Sequence, residues 1–142
     1  MVVEIIKRYN YDFFVICETW YNDDSKGADR LSDKLNSNGY ELIFVNRKSK
    51  GGGIAICYKK KWEVKVDQIC ETMIWLRVRC GCDEIAVAGV YFPPSRDRQR
   101  DEEMIEKLMK KIQQYVNTQC LIIGDVNAPL VAWRIETLKT RL

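Results

Sequence analysis

Between residues 41 and 92 the sequence offers five consecutive strand-length runs with no helical period, and this most narrows the folds open to the chain. The runs are Glu41 to Asn46, Gly53 to Tyr58, Trp62 to Gln68, Met73 to Arg79 and Ile85 to Phe92, rich in β-branched and aromatic residues. Alternation puts Trp62, Val64 and Val66 inward and Glu63, Lys65 and Asp67 toward water. Gly81 to Asp83 read as a hairpin turn, Lys59-Lys60-Lys61 as a solvated hairpin tip, and Pro93-Pro94 as a strand stop. Sheet in this quantity needs helices or a second sheet to cover its apolar faces.

The flanks supply both. Val2, Val3, Ile5, Ile6 and Tyr9 share one face of a helix over residues 2 to 9, and Phe13 to Cys17 is a continuous apolar run of the kind buried on both faces. Residues 22 to 37 are polar, with Ala28, Leu31 and Leu35 spaced for a short helix. Residues 101 to 116 carry the clearest helical period, through Met104, Ile105, Leu108, Met109, Ile112, Tyr115 and Val116. Asp101, Glu102 and Glu103 sit in its first turn, as the macrodipole prefers. Cys120 to Ile123 is a last buried strand. The order predicts an α/β sandwich of sheets covered by helices, in a chain of 142 residues, one domain's worth.

Composition excludes several classes. With 46% hydrophobic and 30% charged residues the chain is not a disordered one. No apolar run reaches the roughly 20 residues of a membrane span, and Glu4, Lys7 and Arg8 interrupt the apolar N-terminal stretch that a signal peptide requires. The expected place is therefore intracellular, nuclear or cytoplasmic, with no membrane partner. A net charge of +3 permits nucleic-acid contact without demanding it. Cys17, Cys57 and Cys120 lie in strand runs and are expected in the core. The one-residue spacing of Cys80 and Cys82, without any histidine, disfavours zinc.

Three of the apolar runs stop on polar residues: Phe13 to Cys17 on Glu18, Ile85 to Val90 on Tyr91, and Leu121 to Ile123 on Asp125 and Asn127. Carboxyl ends of strands are where α/β folds assemble sites. Two carboxylates and a carboxamide are hard oxygen donors, and Mg2+ takes one or two carboxylates while keeping positions for water and substrate phosphate. Taken singly, each residue reads more plainly as a turn or surface group than as part of a site. Arg96, Arg98 and Arg100 follow the Pro-Pro loop as possible phosphate contacts, with a solvated loop as the plainer alternative. Gly51-Gly52-Gly53 reads as a strand-entry loop, since no helix or Gly-Lys-Ser/Thr follows it.

The segments Phe14-Val15-Ile16-Cys17-Glu18-Thr19-Trp20, Gly51-Gly52-Gly53-Ile54-Ala55-Ile56, Val90-Tyr91-Phe92-Pro93-Pro94-Ser95 and Ile122-Ile123-Gly124-Asp125-Val126-Asn127-Ala128-Pro129 together resemble four ordered landmarks of the endonuclease/exonuclease/phosphatase superfamily. With Trp133 following, they are most similar to the endonuclease domain of LINE-type (non-LTR) retrotransposons, which is associated with a reverse transcriptase. The resemblance implies a four-layer α/β sandwich of two packed mixed sheets flanked by helices, hydrolysing DNA phosphodiesters with Mg2+ or Mn2+. It implies Glu18 as metal ligand, Tyr91 as a phosphate hydrogen-bond donor, Asp125 as the group that orients or deprotonates water, and Asn127 as a transition-state stabiliser. Departures accompany it. The family's N-terminal asparagine is absent, and Asn10 precedes the wrong strand to replace it. No histidine exists to supply the Asp-His pair, Phe92 stands where arginine is common, and Val126 where phenylalanine is. Residues 134–142 diverge from the pattern. The expectation is a single partial domain, incomplete at both edges, with weak or no activity of its own. The alternatives are a non-catalytic DNA- or protein-binding module, or a relative with another phosphodiester substrate. Oligomeric state is left open.

Overall fold

Every strand run takes the conformation its residues favour, but the strands divide between two sheets at a place the local pattern does not mark. The computed structural model describes residues 2–21, 26–45 and 52–129. Trp133, the divergent tail 134–142 and Gly51 lie outside the described residues. The order is α1 (Val2–Tyr9), β1 (Phe13–Cys17), α2 (Lys26–Asn36), β2 (Tyr40–Val45), β3 (Ile54–Lys59), β4 (Glu63–Cys70), β5 (Met73–Cys80), β6 (Asp83–Phe92), α3 (Arg98–Gln113) and β7 (Gln119–Val126). One sheet has the order β1-β3-β2 and the other β4-β5-β6-β7. The first is antiparallel throughout; the second is mixed, because β7 returns parallel to β6 after α3.

The layers follow from alternation along each strand. Ile54 and Ile56 of β3 meet Ile74, Leu76 and Val78 of β5 and Val87 and Tyr91 of β6 between the sheets. On the far side of the four-stranded sheet, Trp75, Ala86, Ala88, Val90 and Phe92 receive Met104 and Leu108 of α3. On the far side of the other, Tyr40 and Cys57 receive Ile6 of α1 and Leu35 of α2. The result is a helix, sheet, sheet, helix sandwich. Strands β3, β5 and β6 have apolar cover on both faces, which is why their runs are nearly continuous.

Several expectations are corrected. The alternation in β4 fails at a bulge between Val66 and Gln68, which leaves Val66 50% exposed and turns Asp67 toward α3. There Asp67 Oδ2 accepts from Lys111 Nζ (2.5 Å) and from Tyr115 Oη (2.6 Å). Lys59 to Lys61 do not tip a hairpin. They carry the chain from one sheet to the other, with Lys59 and Lys61 paired to Asp12 and Lys60 to Glu41. Helix α3 starts three residues earlier than its acidic cluster suggests, because the Asp97 carboxylate caps it by accepting from the amides of Gln99 and Arg100. Asp101 is thereby buried within the first turn rather than solvated. Strand β7 is an edge, so Cys120, Leu121 and Ile122 are exposed rather than core. Ile5, Tyr9, Met109 and Val116 are also exposed, so the helical apolar faces are narrower than the periodicity implies. Among the described residues no helix is long and apolar enough to cross a membrane.

Candidate active site

Strand β1 ends because Glu18 adopts a left-handed backbone, φ +57°, which breaks the ladder one residue past the Cys17–Ile54 pair. Trp20 repeats this with φ +57°, and the intervening turn is held to the start of β3 by Trp20 N–H donating to the Gly52 carbonyl (2.8 Å). Non-glycine residues in this region cost about 1 kcal/mol or more each and persist only where the surroundings fix them. Here the fixing is done by the glycine pair. Gly53 has φ +99°, and a Cβ on it would collide with the Thr19 hydroxyl. The Gly52 N–H donates to Glu18 Oε2 (3.1 Å) while the Tyr91 hydroxyl donates to Glu18 Oε1. The loop read from sequence as a strand entry is therefore also the cradle of the Glu18 carboxylate.

Tyr91 comes from β6, buried at the carboxyl end of the inner face, with its amide donating to the Thr72 carbonyl (2.8 Å). Directly across the parallel ladder from it lies Asp125 of β7. The close approach depends on Gly124, φ +152°, where a Cβ would overlap the Val90 carbonyl. Asn127 follows, tied down by its amide and side-chain Nδ2 both donating to the Phe92 carbonyl (3.3 and 3.1 Å). One Nδ2 hydrogen remains for a ligand. The two sheets meet here, with Cys17 Sγ of β1 donating to the Val90 carbonyl of β6 (4.0 Å), and burial pushes the Cys17 thiol up. The four residues singled out from sequence, Glu18, Tyr91, Asp125 and Asn127, thus gather at the carboxyl ends of β1, β6 and β7.

The three arginines do not share one loop. Arg98 and Arg100 are in the first turn of α3, Arg98 paired to Glu102 (2.8 Å) and Arg100 on a groove between α3 and the β4–β5 turn. Arg96 stays in the loop before α3, exposed.

The donor set suits a hard divalent cation. Glu18 and Asp125 offer carboxylate oxygens, and each Glu18 oxygen accepts only one of the hydrogen bonds described, keeping lone pairs for a cation. Among the described residues no group of three or more His, Cys, Asp or Glu side chains is placed to hold a metal ion.

The fold is a sandwich with acidic residues at strand ends from both sheets. The chain belongs to the Endonuclease/Exonuclease/phosphatase family, whose pattern it matches over residues 1–142. Members of that family generally use divalent metal ions. Solved structures share the fold. TDP2 from Caenorhabditis elegans superposes with a TM-score of 0.69 at 20% identity, over 89% of this chain and 40% of that one. The 3′ phosphatase NExo from Neisseria, bound to product DNA hairpin, gives 0.65 at 16%, over 89% and 51%. An AP endonuclease from Archaeoglobus fulgidus gives 0.62 at 20%, over 89% and 51%. The chain therefore spans roughly half or less of the length of each. A search of curated protein sequences finds no match.

Proposed function

We propose that this chain carries the metal- and phosphate-binding part of a DNA phosphodiesterase site of the LINE-type retrotransposon endonuclease kind. The observation that carries the reading is the meeting of Glu18, Tyr91, Asp125 and Asn127 at one end of the sandwich. A Mg2+ or Mn2+ ion held by Glu18 would neutralise charge on the phosphate and lower the pKa of bound water. Tyr91 and the Gly52 amide fix the Glu18 carboxylate for that purpose. Asp125 accepts the proton of the attacking water, and the free Asn127 N–H donates to a phosphate oxygen as negative charge builds there. A solved relative bound to a DNA hairpin supports a nucleic-acid substrate. The chain contains no histidine to complete the set, and members of a catalytic unit fail together, so its own activity is weak or nil.

The test joins Mn2+ titration by calorimetry with a supercoiled-plasmid nicking assay. Wild type binds Mn2+, Glu18→Gln and Asp125→Asn lose that binding while staying folded, and nicking stays at background. Binding indifferent to both substitutions sinks the metal role. Vigorous nicking that requires Glu18 and Asp125 sinks the claim of weak activity.

A further inference from the structure

We infer that the groove between α3 and the β4–β5 turn binds a single nucleic-acid strand by its phosphates, along the flank of the sandwich next to the candidate active site. The groove holds about 560 Å³, and its walls come from β4, β5, the turn between them and α3. All of its lining residues are described, and neither β1, β7 nor a chain end contributes one. One end adjoins the site through the backbone: the Thr72 carbonyl accepts from the Tyr91 amide (2.8 Å), and the Tyr91 hydroxyl donates to Glu18. From there the groove follows α3 as far as Lys111 and the cap residue Gln114.

The groove carries more positive charge than the fold uses. Arg100, Lys107, Lys110 and Lys111 line it against two carboxylates, Glu71 and Glu103. Lys111 is committed to Asp67, the pair that anchors α3, and Glu103 accepts from Gln99 (3.1 Å). Lys110 pairs with Glu106 (2.7 Å), but both side chains are mostly exposed, so the pair is weak and exchanges readily for another anion. Arg100 and Lys107 have no carboxylate within ion-pair distance among the described residues. Arg100 also stands in the first turn of α3, where the macrodipole disfavours a cation. A cation left unpaired against the local electrostatics finds its reason in an anion from outside the chain.

The cations form a row rather than a point. From Arg100 to Lys111 they extend about 16 Å along the helix axis at a rise of about 1.5 Å per residue. That is the length of roughly five nucleotides stacked at about 3.4 Å each, whereas a lone phosphate would meet only one end of the row. An acidic peptide has the same charge, but the strand is favoured because the groove begins beside a phosphoester site; this choice rests on the function proposed above. No aromatic residue lines the groove, so bases find no stacking platform and the grip is on the backbone. Binding is therefore indifferent to base and steep in salt.

Fluorescence anisotropy with short labelled oligothymidylate and oligoadenylate, in EDTA and over a range of salt, tests the groove. Wild type binds both alike. Arg100→Glu combined with Lys107→Glu weakens binding about tenfold or more and lowers the slope of log affinity against log salt by roughly 1.4, two phosphates of a single strand. Lys34→Glu, exposed on α2 over the other sheet, leaves the slope unchanged. Acetylation of the wild type adds a readout that no variant has to fold for: bound oligonucleotide shields Lys107 and Lys110. With EDTA present none of this needs a metal at Glu18 and Asp125, and the Mn2+ titration tests that reading by itself. No binding at low salt, binding that the paired reversal leaves unchanged, or unshielded lysines overturns the inference. So does labelled polyglutamate that binds more tightly than either oligonucleotide.

Discussion

Single residues at strand ends decide the geometry of this site, and glycine decides it more than the charged groups do. Gly124 is required twice, by its φ of +152° and by the Val90 carbonyl where a Cβ would stand. Gly124→Ala is expected to destabilise the chain by about 2 kcal/mol or more, since neither strain nor overlap can relax without opening the β6–β7 ladder. A lowered urea midpoint reads the first effect, and loss of Mn2+ binding reads the displacement of Asp125 beside it. Unchanged values for both would show that β7 does not hold the site in place. The acidic and amide side chains at these strand ends stood out only through the family resemblance, since each taken singly reads as a turn or surface group. The role of Gly52 did not stand out at all, because a backbone N–H has no letter in the sequence.

At the scale of elements, the bulge in β4 produces the polar anchor under α3. Asp67 is held well below its ordinary value of 3.8, first by Lys111 and then by Tyr115, with Arg77 adding charge at 3.3 Å. Burial, together with the Asp67 carboxylate, pushes Tyr115 up to about 12. Asp67 and Lys111 are only 18% and 14% exposed, so the pair is worth more than the surface pairs of α3, such as Lys110 with Glu106. Asp67→Asn is expected to cost about 2 kcal/mol at neutral pH. The folded pKa lies below the unfolded one, so this stability is complete above 3.8 and is lost as pH falls through the lower folded value. Urea midpoints of wild type and Asp67→Asn should therefore converge in acid; a gap independent of pH would exclude the ionised carboxylate as its source. Regular alternation pointed Asp67 at water, and only the extra residue of the bulge reversed it.

At the scale of the whole molecule, the sandwich stacks a three-stranded sheet on a four-stranded one and brings the carboxyl ends of β1, β6 and β7 to one end, where the Tyr91 hydroxyl donates to Glu18 across the two sheets.

The sequence by itself determined the strands, the helices and the residues that end them, because those depend on period, on β-branched content and on breakers such as Pro93-Pro94. Tyr91, Asp125 and Asn127 were readable as strand-end residues for that reason, as was Glu18 at the end of its apolar run. Only the tertiary structure decided which strands share a sheet, where β4 bulges, that α3 starts on Asp97, and that β7 is an edge. Helix starts with Arg98 and Arg100 against the macrodipole give no charge signal, and an edge strand has the same letters as a buried one. Such features depend on which surfaces meet across long separations in the chain, and no local pattern contains that information.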